Sequence, residues 1–301
     1  MRRLKLRVKP NIASQVFVGI ATCLLALTSA QAETILITSW NMNQLTHPST
    51  IGSSRSSSEV GVLSKVGRKM GAHIIALQEI ENARIARDIF GPSYAYYMTE
   101  KNPEGFRVGF AVRSNLKTVN SYQYTPLKGL SGGNMGADIT VANEVGTQIR
   151  ILNVHLAEGC EEEQLPSSSR NKACNTMFEQ TKALSRWVSD RKREGVPFMI
   201  TGTFGRYLGS EQVEPFPGLL SKVNEHYEQF VDGLRTASGD KRPACWNYRR
   251  PDFVDHFLLD PSMGQMVVAQ SFRETGYGGE WSGAKQKRFS DHCPIKLMIR
   301  M

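Results

Sequence analysis

The stretch Ser39-Trp40-Asn41-Met42-Asn43 closes an apolar run that begins at Ile35, and its asparagines stand where a strand gives way to a turn. Five more short motifs stand at the ends of apolar runs: Leu77-Gln78-Glu79, Asn153-Val154-His155-Leu156, Gly202-Thr203-Phe204-Gly205, Asp255-His256 and Ser290-Asp291-His292. A short apolar run bounded by polar residues reads as a buried strand. Six such ends, carrying amides, carboxylates, a hydroxyl and imidazoles, are expected to converge on one rim of a sheet.

Around these motifs the chain reads as one α/β domain of about 270 residues once its leader is set aside. Ile35 to Trp40 is expected as the first strand. Ser56-Ser57-Ser58-Glu59 supplies an N-cap for an amphipathic helix that runs to Met70 and stops at Gly71. His73 to Leu77 reads as a strand and Ala83 to Phe90 as a short helix. Phe106 to Val112, Val119 to Tyr124, Ala137 to Ala142 and Gln148 to His155 alternate, and read as successive antiparallel strands. Thr176 to Glu194 is the longest helix pattern, stopped by Gly195-Val196-Pro197, and Phe198 to Thr201 is a buried strand. Phe253 to Leu259, Met266 to Phe272 and Pro294 to Ile299 add three more. That order suits a two-sheet sandwich flanked by helices. The Ser53 to Ser58 and Glu161 to Glu163 runs read as solvated loops.

Arg2, Arg3, Lys5, Arg7 and Lys9 precede an apolar stretch from Val16 to Leu27, and Ala30-Gln31-Ala32 then offers small residues to a signal peptidase. Residues 1–32 are expected as a secretory signal peptide cleaved near Ala32, with a single domain over 33–301, periplasmic or secreted. The apolar stretch is shorter than the roughly 20 residues of a membrane span, so no stable span is expected. The whole chain carries 37 Lys+Arg and 28 Asp+Glu, a net charge of +9. Five of the bases and none of the acids precede Glu33, which leaves 32 bases and a charge of +4. Such a charge permits binding to a polyanion without arguing for it. A monomer is the expected state.

Four cysteines follow the leader, Cys160, Cys174, Cys245 and Cys293. An even count in an exported chain suggests disulfides. Proximity favours Cys160 with Cys174, closing a polar loop, and Cys245 with Cys293, tying two site segments together. A zinc site is the competing reading, and no Cys-x-x-Cys or His-x-x-x-His spacing accompanies it.

In their order, the six motifs resemble those of the endonuclease/exonuclease/phosphatase family, which includes the pancreatic-type deoxyribonucleases. The resemblance spans Thr34 to Arg300. It implies a four-layered α/β sandwich of two mixed, largely antiparallel sheets flanked by helices. It also implies a Mg2+-dependent phosphoesterase, with Mn2+ able to substitute, acting on nucleic acid or another phosphate ester. Phe110-Ala111-Val112-Arg113-Ser114-Asn115, with Tyr122-Gln123-Tyr124 beyond it, is similar to the matching part of the deoxyribonucleases and makes nucleic acid the leading substrate class. The alternatives on the same fold are a catalytically inactive phosphate- or nucleic-acid-binding module and a lipid or inositol-phosphate hydrolase.

Phosphodiester hydrolysis needs a cation on the phosphate, a group to activate water and a donor for developing charge. Glu79, preceded by Gln78, matches the family's metal-binding glutamate, and one carboxylate plus water is how Mg2+ is usually held. Asn41 resembles the asparagine that holds that carboxylate and a phosphate oxygen. Asn43 stands where some members carry an acid. His292 is expected to be oriented by Asp255 as an acid/base pair, with Asp291 as a second metal contact and His155 across the scissile phosphate. His256 follows Asp255 on its strand, faces the other way and reads as structural. Arg113 matches an arginine that contacts the DNA backbone, and Arg107 lies on the same face of that strand. A guanidinium fork fits phosphate oxygens.

The fourth motif departs from the pattern. Where the family carries Gly-Asp-Phe-Asn, Thr203 and Gly205 replace the Asp and the Asn, and Arg206 follows as a nearby cation. Thr203 is no base near neutral pH, and Gly205 donates nothing from a side chain. Losing one preorganised donor typically costs about a hundred- to a thousand-fold in rate. Residual hydrolysis is the expectation, and if Thr203 and Gly205 are the only defects it should rise by orders of magnitude in a Thr203→Asp, Gly205→Asn double variant.

Overall fold

Two parallel strand pairs organise the chain, each embedded in an otherwise antiparallel sheet. The computed structural model describes residues 32–53, 55–128, 136–163, 165, 170–208, 233–239, 241–245, 251–277 and 289–301. The leader reading over 1–31 lies outside them, as do parts of the serine run and the cysteine loop.

In chain order the first half comprises β1 (Thr34–Leu45), α1 (Ser57–Lys69), β2 (Ile74–Ile80), α2 (Ala83–Phe90), β3 (Tyr94–Met98), β4 (Arg107–Arg113), β5 (Lys117–Tyr124) and β6 (Gly136–Ala142). The second comprises β7 (Gln148–His155), α3 (Lys172–Glu194), β8 (Phe198–Thr203), β9 (Arg235–Thr236), β10 (Asp255–Leu259), α4 (Pro261–Met266), β11 (Arg273–Glu274) and β12 (Ile295–Arg300). One six-stranded sheet has the order β11-β12-β1-β2-β4-β3 and the other β5-β6-β7-β8-β10-β9. β1 and β2 run parallel, as do β7 and β8, and the remaining neighbours are antiparallel.

Alternation along these strands builds the layers. Ile35, Ile37, Ile74, Ala76, Ile149 and Ile151 point between the sheets into one core with Phe110 and Phe257. Ile75 and Leu77 point outward onto Leu63 of α1 and Ile85 and Ile89 of α2. Leu152 and Val154 point outward onto Met177, Leu184 and Trp187 of α3. Each such fully buried side chain contributes about 1.5–3 kcal/mol. The result is the four-layered sandwich the sequence resemblance implies. Among the described residues no helix is long and apolar enough to cross a membrane.

Local signals set most boundaries. Ser56 accepts from the Glu59 amide while the Glu59 carboxylate takes the Ser56 amide at 2.8 Å, a capping box that opens α1 and contributes about 1 kcal/mol. Asn82 caps α2 over the expected span. α3 begins a turn before the expected Thr176 because Asn171 caps it through the Ala173 amide. Cys160 pairs with Cys174 and Cys245 with Cys293.

Two expectations are corrected. β4 and β5 are not neighbours: β4 pairs with β2 and β3, and β5 with β6 in the other sheet. The missing neighbour is β3, which the sequence reading did not assign. Met266 to Phe272 is not a strand. Asp260 accepts from the Ser262 and Met263 amides and Pro261 takes the first helical turn, so α4 ends at Met266, and Val267 then makes an isolated bridge to Ile299. The chain then turns at Gln270, φ 57°.

Candidate active site

The parallel strands end on one rim, and both β1 and β2 bulge there. Register shifts between Asn41 and Leu45, and between Leu77 and Ile80. Residues in these bulges take left-handed backbone, with φ of 48° at Asn43, 55° at Gln44 and 52° at Glu79. Such a conformation costs a non-glycine residue on the order of 1–3 kcal/mol and persists where its surroundings fix it. Here hydrogen bonds fix it. Asn41 Nδ2 donates to Glu79 Oε1 at 2.8 Å and the Gln44 amide to Glu79 Oε2 at 3.0 Å. The Asn43 amide donates to Asn41 Oδ1 at 2.8 Å.

The floor beneath joins the two sheets. Gln78 Nε2 donates to Asn153 Oδ1 at 2.6 Å, and Asn153 Nδ2 donates to the carbonyls of Leu77 and Gly109 at 2.9 and 2.8 Å. These motif residues therefore register one sheet against the other. Both are fully buried, where a lost partner costs about 1–3 kcal/mol.

Across the rim, Asp255 Oδ2 lies 2.6 Å from His292 Nδ1. Thr203 sits opposite Asp255 in the β8–β10 register, donates to Asp255 Oδ1 at 2.8 Å and accepts from Asn41 Nδ2 at 3.2 Å. A chain of hydrogen bonds thus runs Glu79, Asn41, Thr203, Asp255, His292, buried from Asn41 onward. Ser290 Oγ donates to the Asn41 carbonyl at 2.8 Å and accepts the His292 amide at 3.0 Å, tying the histidine loop to β1. His155, at the end of β7, places Nε2 3.3 Å from Glu79 Oε1 and 3.5 Å from Glu158 Oε1.

The structure brings Asn41, Glu79, His155, Thr203, Asp255 and His292 together. Asp291 is half exposed beside them, Oδ1 3.8 Å from His292 Nε2. Among the described residues, the three-donor group around Glu79 is completed by His155 and Glu158, and Asp291 is not in it. A carboxylate at an open rim, oriented by an amide, suits a divalent cation.

Arg113 is not at the rim. β4 runs antiparallel to β2, so Arg107 pairs with Ile80 beside the site while the Arg113 amide bonds the His73 carbonyl at the other end. Six residues of strand separate them by about 20 Å, and the Arg113 guanidinium lies over the Tyr94 ring. Arg107 Nη1 donates to the Glu81 carbonyl at 2.5 Å. Arg206 is buried away from the rim, clamping the cysteine loop through the carbonyls of Cys160 and Glu163. His256 is buried on the face opposite Asp255, Nε2 3.0 Å from the Arg206 carbonyl, and burial lowers its pKa.

Gly205 has φ 61°, and a Cβ there would lie 2.3 Å from the Ala157 carbonyl oxygen and 3.0 Å from Glu158 Cα. The position is filled by backbone, not open. Three groups lie beyond the motif reading. Arg55 Nη2 donates to the carbonyls of Asn43 and Phe289 at 2.8 and 3.0 Å, and burial lowers its pKa against the opposing pull of Glu59, Tyr277, Asp291 and Glu79. Tyr277, its phenol pushed up by burial, donates to the His292 carbonyl at 3.1 Å. Glu158 stands three residues past His155. Arg55 lay in a run read as solvent loop and Glu158 in no motif.

With this geometry, a structure of an endonuclease/exonuclease/phosphatase family protein from Bacteroides thetaiotaomicron matches at TM-score 0.59 and 13% identity, over 90% of this chain and 96% of that one. The fold is that of the endonuclease/exonuclease/phosphatase family. The same fold is found in truncated Caenorhabditis elegans TDP2, at TM-score 0.57 and 14% identity over 89% of this chain and 98% of that one. It is found too in the Bacteroides thetaiotaomicron mannosyl-6-phosphatase, at TM-score 0.56 and 13% identity over 88% and 99%. No family model and no curated protein sequence matches the chain.

Proposed function

We propose that the chain is an exported, divalent-metal-dependent phosphoesterase. The observation that carries this reading is the buried Asp255–His292 pair, 2.6 Å apart, on the rim that holds Glu79 and Asn41. Asp255 as acceptor keeps a proton on Nδ1, so the Nε2 lone pair takes a proton from water or, once protonated, returns one to the leaving oxygen. Asn41 holds Glu79 in its left-handed pose, and Thr203 fixes the other oxygen of Asp255. Mg2+ or Mn2+ held at Glu79 would neutralise phosphate charge. The water oxygen bonds phosphorus, the phosphorus–oxygen bond to the leaving group breaks, and His292 carries the proton between them.

The two disulfides support export, since such bonds persist in oxidising compartments. Nucleic acid is the first ester to test, on Arg107 beside the rim. Arg113 lends it no support. A second reading, a phosphate-binding module without turnover, is favoured by Thr203, which brings no base.

The test is hydrolysis of bis(p-nitrophenyl) phosphate, p-nitrophenyl phosphate and plasmid DNA by the mature chain, with Mg2+ or Mn2+ and with chelator. Metal-dependent turnover that disappears in His292→Ala is expected. Saturable binding of an ester with no turnover under any condition would favour the binding module instead.

A further inference from the structure

We infer that Glu158 completes, with Glu79 and His155, a three-donor site for a transition-metal dication of the Mn2+ or Zn2+ class. This deepens the proposed function and rests on that reading of Glu79, but metal binding can be read without turnover. His155 then serves as a ligand and not as an acid/base group.

The donor separations carry the inference. His155 Nε2 lies 3.3 Å from Glu79 Oε1 and 3.5 Å from Glu158 Oε1, and the three donors all fall within 4.8 Å of one another. A cation about 2.1 Å from each of several nitrogen and oxygen donors in tetrahedral array holds them about 3.4 Å apart. The two histidine edges already have that length. The imidazole and the tetrahedral edges suit Zn2+ and the two carboxylates also suit Mn2+, whereas Mg2+ prefers oxygen and retained water.

The loop that brings Glu158 in depends on Gly205. The Ala157 amide donates to Gln180 Oε1 of α3 at 2.9 Å, which fixes the loop after β7. Any side chain at 205 would meet the Ala157 carbonyl and Glu158 Cα. The glycine that removes a side-chain donor therefore admits the backbone that carries a new carboxylate. Glu158 is 51% exposed at the mouth, so an ion reaches it from solvent and its substitution does not threaten the core.

Calorimetry and Mn2+ electron paramagnetic resonance on the mature chain, Glu158→Gln and His155→Ala, with Mg2+ titrated in parallel, test this. One Mn2+ per chain is expected, weakened at least about ten-fold in each variant, with Mg2+ binding nearly unchanged in Glu158→Gln. Failure of wild type to bind Mn2+ or Zn2+, or equal Mn2+ affinity in wild type and Glu158→Gln, overturns the inference. Tight Mn2+ binding lost in Glu158→Gln, with no ester hydrolysed, would sink the phosphoesterase reading and leave this site standing.

Discussion

Thr203 donates its hydroxyl to Asp255 Oδ1 at 2.8 Å while Asp255 Oδ2 holds His292 Nδ1 at 2.6 Å. Each carboxylate oxygen thus holds one of these neighbours at the rim. A hydrogen bond to a charged group contributes about 1.5–3 kcal/mol. Thr203→Val is expected to lower kcat by about ten- to a hundred-fold and to move the acidic limb of its pH profile. Thr203→Ser, which keeps the hydroxyl, should stay near wild type. Equal kcat–pH profiles for Val and wild type would remove Thr203 from that chain of hydrogen bonds.

Restoring the family's side chains is no longer expected to restore activity. Gly205→Asn forces a side chain into left-handed backbone against the Ala157 carbonyl, and should destabilise by more than about 1 kcal/mol in urea titration. Thr203→Asp sets a second carboxylate against Asp255, where two like charges cannot both ionise cheaply. A gain of orders of magnitude in the double variant would contradict this reading of the loop.

The Cys245–Cys293 disulfide abuts His292 and closes a separation of 48 residues, which stabilises by about 4 kcal/mol on chain-entropy grounds. Its removal in Cys245→Ser, Cys293→Ser is expected to lower Tm and to reduce turnover more than removal of Cys160–Cys174. Activity and melting curves of the two paired variants check the order.

Burial lowers the pKa of His256 below its ordinary 6.5, with the Arg206 carbonyl bond opposing in part. The unfolded chain therefore binds the extra proton first. Stability from this group is full above the unfolded pKa, about 6.5, and falls as pH drops below it. Melting curves between pH 7 and pH 5 should show this decline, and His256→Phe should flatten it if the variant folds; a parallel slope in wild type and variant would assign the effect elsewhere.

Much of this was legible because strand ends carry both chemistry and punctuation. The relation of Asp255 to His292 and the convergence of Asn41, Glu79 and His155 are what the family resemblance of the ordered motifs implies. Gln78 and Asn153 were visible as motif letters, but their bonds across the sheets were not, since pairing between sheets leaves no periodicity. β3 was missed among ordinary tyrosines, and the apolar run from Met266 to Phe272 is interrupted by the turn at Gln270. Arg113 was misplaced because a local likeness says nothing about which end of a strand faces the site. Glu158 and Arg55 reach the rim through loops, where sequence spacing does not encode distance.

The most direct test of the central claim is kcat/KM for bis(p-nitrophenyl) phosphate in saturating Mn2+, measured for the mature chain beside His292→Ala and Asp255→Asn. The expected result is measurable metal-dependent hydrolysis that falls by about a hundred- to ten-thousand-fold in both variants. Turnover undiminished in His292→Ala would show that the Asp255–His292 pair does not carry the chemistry.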